Sequence, residues 1–273
     1  MRFFLLITAA YLVVMFFLPI TNSLLYPTTN AIDPRGATRK LVPFGKKNIE
    51  VWTAKSRQAQ THGRSEIYVL RFYGNADRAE RWVALEADMW NNRAVEIWGM
   101  NYPGFGGSDG PSRLKSIAPA ALTVFDVLRR EAGENRIVLF GASIGTTAAL
   151  HIAANRTVAG LVLHNPPPLR QLILGQYGWW NLWLLAGPAA LQLPSELDSI
   201  HNARKIRAPA VFLLSDSDEI VGPRYQRLVV DAYTGEKRVI TLRDAHHNSP
   251  IEGAAIAELH GALDWILPRN LTR

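Results

Sequence analysis

A mostly parallel, doubly wound α/β sheet is the fold that the sequence predicts, on three observations. Short apolar runs at 49–54, 67–72, 94–98, 137–140, 158–164, 210–214 and 238–242 alternate with helix-period stretches that begin near Asp77 and cover 116–132, 224–233 and 254–266. Strands separated in this way become parallel neighbours with helices on both faces. The run IVLF at 137–140 is apolar at every position, as a strand covered on both faces must be. The chain has 273 residues, 48% of them hydrophobic, enough for one large core.

Taken in order, residues 3–20 carry no charge and are about long enough to cross a bilayer as a helix. Residues 1–23 are therefore expected to be an N-terminal membrane anchor, with a secreted protein cut near Ser23 as the alternative. Arg2 ahead of the run favours a folded domain on the non-cytoplasmic side. Deleting the first 25 residues is expected to leave a soluble, active protein. Residues 24–48, with Pro27, Pro34 and Pro43, read as a connector leading into the first strands. The boundaries adopted are connector 24–40 and folded domain 41–267.

In the helix after Asp77, the residues Trp82, Leu85, Met89 and Trp90 recur at helical spacing and are expected in the core. The stretch 101–110, NYPGFGGSDG, is too rich in Gly and Pro for regular structure. It lacks the G-x-x-x-x-G-K-[ST] pattern of a phosphate-binding loop. Residues 165–200 are apolar and rich in Trp, yet Gly175, Gly178, Gly187 and Pro188 leave no unbroken run of about 18 apolar residues. This stretch reads as a lid whose Trp179, Trp180 and Trp183 line an acyl pocket or dip into a membrane interface.

Lys and Arg number 30 against 23 Asp and Glu, a net charge of +7, but they are scattered singly or in pairs. A solvated basic surface is the better reading than a nucleic-acid site, and attraction to an anionic membrane remains open. The absence of cysteine excludes disulfides, thiolate chemistry and Cys-based metal sites.

Gly141-Ala142-Ser143-Ile144-Gly145 has the G-x-S-x-G spacing, with a strand before it and small helix formers after it. A strand that reverses into a helix within one turn strains its middle residue, and glycines on either side give the backbone room. Ser143 would stand above the carboxyl edge of the sheet, with the Ile144 amide aimed at any oxyanion formed there. A serine nucleophile needs a base, and the base needs an acid that fixes its tautomer. After the strand 210–214 come Asp216, Asp218 and Glu219; after 238–242 come His246 and His247. Spacing alone chooses neither the acid nor the base. A metal site is disfavoured, because adjacent histidines cannot easily chelate one ion.

These motifs resemble the α/β-hydrolase superfamily, and more closely its membrane-anchored branch of α/β-hydrolase-domain thioesterases and serine-aminopeptidase-like proteins. Tyr73-Gly74-Asn75-Ala76 resembles the H-G-N-A oxyanion loop, 101–110 the D-Y-x-G-x-G-x-S-x-G loop, and 215–221 the G-x-x-D-x-x-V acid loop, while His247-Asn248 matches G-H-N. The resemblance covers 41–267 and implies an α/β-hydrolase fold with a small apolar lid. It implies Ser143, Asp218 and His247 as catalytic residues, the backbone amides of Asn75 and Ile144 as oxyanion hole, and no cofactor. It depends on no metal. The expected substrate is a lipophilic ester or thioester, with Tyr73 and the lid tryptophans beside it. A serine aminopeptidase and a non-catalytic membrane-bound scaffold are the alternatives. Tyr73 in place of His, Asn101 in place of Asp and Gly222 in place of Pro depart from the pattern. The last two are expected to change packing rather than chemistry.

Overall fold

Unbroken burial along the central strands, with partly exposed strands at the two edges, assembles a single sheet. A computed structural model describes residues 2–17, 20–90, 92–181 and 183–268. Among them, eight strands are β1 (Thr38–Phe44), β2 (Lys47–Lys55), β3 (Ile67–Phe72), β4 (Val95–Met100), β5 (Arg136–Ala142), β6 (Gly160–His164), β7 (Ala210–Ser215) and β8 (Lys237–Leu242). Their spatial order is β1-β2-β4-β3-β5-β6-β7-β8. β1 and β2 run antiparallel to their neighbours and the remaining pairs are parallel. The helices are α1 (Arg2–Phe17), α2 (Arg57–His62), α3 (Ala79–Met89), α4 (Leu114–Ala132), α5 (Gly145–Asn155), α6 (Leu169–Leu172), α7 (Ala186–Leu191), α8 (Ser199–Ala203), α9 (Pro223–Ala232) and α10 (Ala254–Ile266). α4, α5, α8 and α9 cover one face of the sheet; α3 and α10 cover the other.

β1 begins inside the stretch assigned to the connector. Its three prolines and polar residues conceal an edge strand, and an edge tolerates Pro43 because it needs fewer ladder bonds.

The N-terminal expectation changes most. α1 has 16 residues, about 24 Å of helix against a hydrocarbon core of about 30 Å. No helix among the described residues is long and apolar enough to cross a membrane. The uncharged run gave no sign of where the helix stops. α1 ends at Phe17, residues 18 and 19 lie outside the described residues, and the chain resumes as a 3-10 turn at Ile20–Leu24. α1 lies against the segment 184–192, where the Tyr11 hydroxyl donates to the Leu184 carbonyl and Gln192 donates to the Met15 carbonyl.

The glycine-rich loop at 101–110 is held by buried polar groups rather than by a ligand. Asn101 Nδ2 donates to Glu50 Oε2 at 2.7 Å and to Glu80 Oε2 at 2.9 Å, while its Oδ1 accepts from the Ala79 amide at 2.9 Å. Glu50 also accepts from the Gly107 amide at 2.7 Å and from Arg39 at 2.6 Å. An amide suits position 101 because it alone both donates to two carboxylates and accepts from a backbone N–H. Asn101→Asp would leave a third carboxylate beside two others. We expect it to lower stability by about 3 kcal/mol, read as a shift in the urea midpoint at unchanged slope; a shift below a tenth of that size would contradict this account.

Candidate active site

The strand-to-helix corner between β5 and α5 places Ser143 at φ 51°, in the left-handed region. A Cβ at Gly141 would lie 2.6 Å from Thr146 Cα, and one at Gly145 would fall onto the Phe72 carbonyl oxygen, so both flanking positions require glycine. The Ser143 amide donates to the His164 carbonyl at 2.8 Å, which ties the corner to the end of β6.

His247, on the loop after β8, brings its Nε2 to 2.9 Å from Ser143 Oγ. Its Nδ1 lies 2.7 Å from Asp218 Oδ2, at the end of β7. Asp218 is 4% exposed and His247 9%. Asp218 Oδ1 accepts from the Ile220 and Val221 amides at 2.9 and 2.7 Å, and Gln226 Nε2 donates to Oδ2 at 3.0 Å. The structure thus brings Ser143, Asp218 and His247 together. The rejected partners lie outward: His246 and Glu219 form an exposed pair at 3.2 Å, and Asp216 is exposed.

Two residues of this frame escape sequence reasoning. Gln226, fully buried on α9, fixes the acid loop through Asp218 and the Val221 carbonyl. Asn165, at φ 50°, donates to Ser215 Oγ and to the His247 carbonyl, joining β6, β7 and the histidine loop. Asn165 reads as the start of a proline break, and no local pattern marks either role.

The loop after β3 lies over Ser143, since a Cβ on Gly74 would be 3.7 Å from Ser143 Cβ. The amides of Asn75 and Ile144 donate to no protein group among the described residues. The Asn75 side chain grips the connector, donating to the Leu24 carbonyl at 2.6 Å and accepting from the Tyr26 amide at 2.9 Å. Tyr73 is buried and donates to Glu86 Oε2 at 2.9 Å, while its own carbonyl accepts from the Tyr102 hydroxyl at 2.7 Å. Burial, and then the Glu86 carboxylate, raise the Tyr73 phenol well above the usual tyrosine range, so it stays a donor. Gly222 caps α9 and Pro223 fills its first turn.

A cavity of about 760 Å³ opens at Ser143, lined among others by Leu24, Tyr26, Tyr73 and His247. Trp179, Trp180 and Trp183 are not among its lining residues; they are 74%, 68% and 49% exposed on the lid. The stripe on α3 also needs correction. Trp90 is buried in the core as expected, and Ala79, Val83 and Ala87 face the core with it, while Trp82, Leu85 and Met89 are partly exposed and line the cavity. Ala79, Val83 and Ala87, at helical spacing, let α3 approach the sheet at Gly99, and that turns Trp82, Leu85 and Met89 outward.

His164 lines the cavity, and its pKa is lowered to about 4, first by burial and then by Arg71 and His247. The unfolded chain therefore binds the proton more tightly between pH 4 and 6.5. This contributes stability that is complete above pH 6.5 and lost as the pH falls towards 4, on the order of 3 kcal/mol. Melting temperature against pH should show this fall, flattened in His164→Phe.

No family model matches the chain. An uncharacterized protein of Mycobacterium tuberculosis is 29% identical over 197 residues, 70% of this chain and 66% of that protein. The chain thus spans 66% of the length of this curated relative. The α/β-hydrolase domain-containing protein aho-3 of Caenorhabditis elegans is 24% identical over 58% of this chain and 45% of its own length. Among solved structures, the Pyrococcus furiosus esterase Pf2001 superposes with a TM-score of 0.67 at 13% identity, covering 88% of this chain and 96% of the esterase. The fold is that of the α/β-hydrolases. An acylaminoacyl peptidase from Pyrococcus horikoshii shares this α/β-hydrolase fold, with a TM-score of 0.61 at 14% identity over 83% of this chain and 40% of its own. In such a fold the ends of β5, β7 and β8 that carry Ser143, Asp218 and His247 lie along one edge of the sheet.

Proposed function

We propose that the protein is a serine hydrolase that cleaves a lipophilic acyl ester or thioester through an acyl-enzyme on Ser143. The observation that carries this reading is the continuous line from Asp218 through His247 to Ser143, at 2.7 and 2.9 Å, opening on a largely apolar cavity. His247 takes the hydroxyl proton as Ser143 attacks the carbonyl carbon. The Asn75 and Ile144 amides hold the oxyanion, and Asp218 stabilises the imidazolium. His247 returns the proton to the leaving alcohol or thiol, then activates the water that releases the acid.

A peptidase that frees amino-terminal residues needs a carboxylate for the substrate ammonium. Both acids that line the cavity are already engaged: Glu86 with Arg71 and Tyr73, Asp77 with Trp82 and Arg81. This favours the ester reading. Fluorophosphonate labelling of the purified protein, followed by a panel of acyl esters, acyl thioesters and aminoacyl amides, tests it. A well-folded protein that is neither labelled nor active would leave a binding scaffold as the answer.

We further propose that the enzyme works at a lipid surface. Phe4, Leu5, Leu6 and Ile7 of α1 and Trp179, Trp180 and Leu184 of the lid are exposed large hydrophobics on elements that touch. Exposed apolar surface of this kind marks an interaction face. Flotation with phosphatidylglycerol vesicles should carry the full chain upward, and Trp179→Ser/Trp180→Ser should weaken it; recovery of the full chain only at the bottom of the gradient would reject the proposal.

A further inference from the structure

The cavity has a second arm that the reaction does not use. Leu24, Tyr26, Leu169 and Ile173 line it on the lid side, whereas Val69, Ile97, Phe140 and Leu263 line it on the face covered by α3 and α10. In this second arm the walls are apolar except for His260 of α10 and, towards the strand ends, Arg71, Glu86 and His164. Arg71 is 7% exposed. Its Nε donates to both Glu86 oxygens, at 2.9 and 3.1 Å, and its Nη1 to the Phe72 carbonyl at 2.9 Å. The guanidinium carbon sits 4.0 Å from the Phe140 ring centre and 4.5 Å from that of Tyr73.

Arg71 Nη2 donates to no protein group among the described residues, and it is not one of the occluded polar atoms. It therefore opens on the cavity. Among the described residues the His164 ring has no hydrogen-bond partner either, with Nε2 occluded and Nδ1 not. A donor held among apolar walls without an acceptor is a standing cost that a ligand oxygen removes.

Charge decides what that oxygen belongs to. Glu86 already neutralises Arg71, and His164 is neutral at physiological pH. A carboxylate or phosphate would add an unbalanced negative charge to a buried space, whereas a hydroxyl or carbonyl would not. Register sets the distance. Arg71 lies opposite Phe140, and Ser143 follows further along the same strand direction, so the oxygen would sit on the order of 10 Å from the nucleophile.

We propose that the arm between α3 and α10 is a subsite for an uncharged oxygen function, a hydroxyl, ketone or second ester carbonyl, carried in the middle of the acyl chain and accepting a hydrogen bond from Arg71 Nη2 beside His164. The substrate class is then an oxygenated acyl chain rather than a plain alkyl one. This rests on the serine-hydrolase reading above.

The test uses the full chain and p-nitrophenyl esters of one chain length, either plain or with a keto group walked along the chain. The ratio of kcat/KM, keto over plain, should peak at a mid-chain position at about tenfold or more. In Arg71→Met/Glu86→Gln, which removes both members of the ion pair and strands neither, the peak should collapse towards unity; Arg71→Lys should lower it. A purely structural role for Arg71 would not move this ratio. A flat profile in the wild type, a peak that survives both variants, or stronger selection for a terminal carboxylate would overturn the subsite and leave the hydrolase reading standing. Failure of every ester to form an acyl-enzyme would overturn both.

Discussion

Ser143→Ala should lower kcat by roughly 10⁵- to 10⁶-fold, the scale on which removal of a triad serine acts. The expectation follows from geometry: among the described residues the hydroxyl is the one group that both hydrogen-bonds His247 Nε2 and lines the cavity. His247→Ala should cost about as much, and Ser143→Ala/His247→Ala no more than either alone, because the two side chains act as a unit. Pre-steady-state release of p-nitrophenol measures this directly, with near-ultraviolet circular dichroism as the check on folding. A drop of less than about tenfold in the folded serine variant would show that the hydroxyl is not the nucleophile.

The second large effect is expected for Asp218→Asn, about 10⁴-fold in kcat with little change in KM. Its direction follows from where an amide nitrogen would have to go. Oδ1 accepts from the Ile220 and Val221 backbone amides, which cannot turn away. The new NH₂ must therefore occupy the Oδ2 position, facing His247 Nδ1 and Gln226 Nε2. A donor there removes the proton from Nδ1 and places it on Nε2, so the imidazole meets Ser143 as a donor and cannot act as a base. Single-turnover acylation rates decide the matter; a variant that acylates at the wild-type rate would mean that Asp218 does not hold the tautomer.

Sequence made the sheet and the corner at 141–145 legible because both are local. Periodicity placed β3 and α10 at their observed limits, and the glycine requirement at 141 and 145 is steric. The acid and base needed more. Asp216, Asp218 and Glu219 are equivalent on paper, and what separates them is the pair of backbone amides and the Gln226 side chain, which come from elsewhere in the acid loop and from α9. The stripe on α3 misled for a related reason. Helical spacing says which residues share a face but not which face meets the sheet, and small Ala79 and Ala87 took that place while Trp82 and Met89 turned to the cavity. Hydropathy likewise marked the start of α1 without showing its end.

Asn75 holds the backbone of Leu24 and Tyr26, and both of those residues belong to the cavity wall. A truncation after residue 25, which composition alone recommends as harmless, would cut that clasp in half and leave the cavity open on one side. The segment ahead of β1 thus forms part of the cavity wall. Shortened versions of the protein should be trimmed ahead of Ile20, where the turn that holds Leu24 begins.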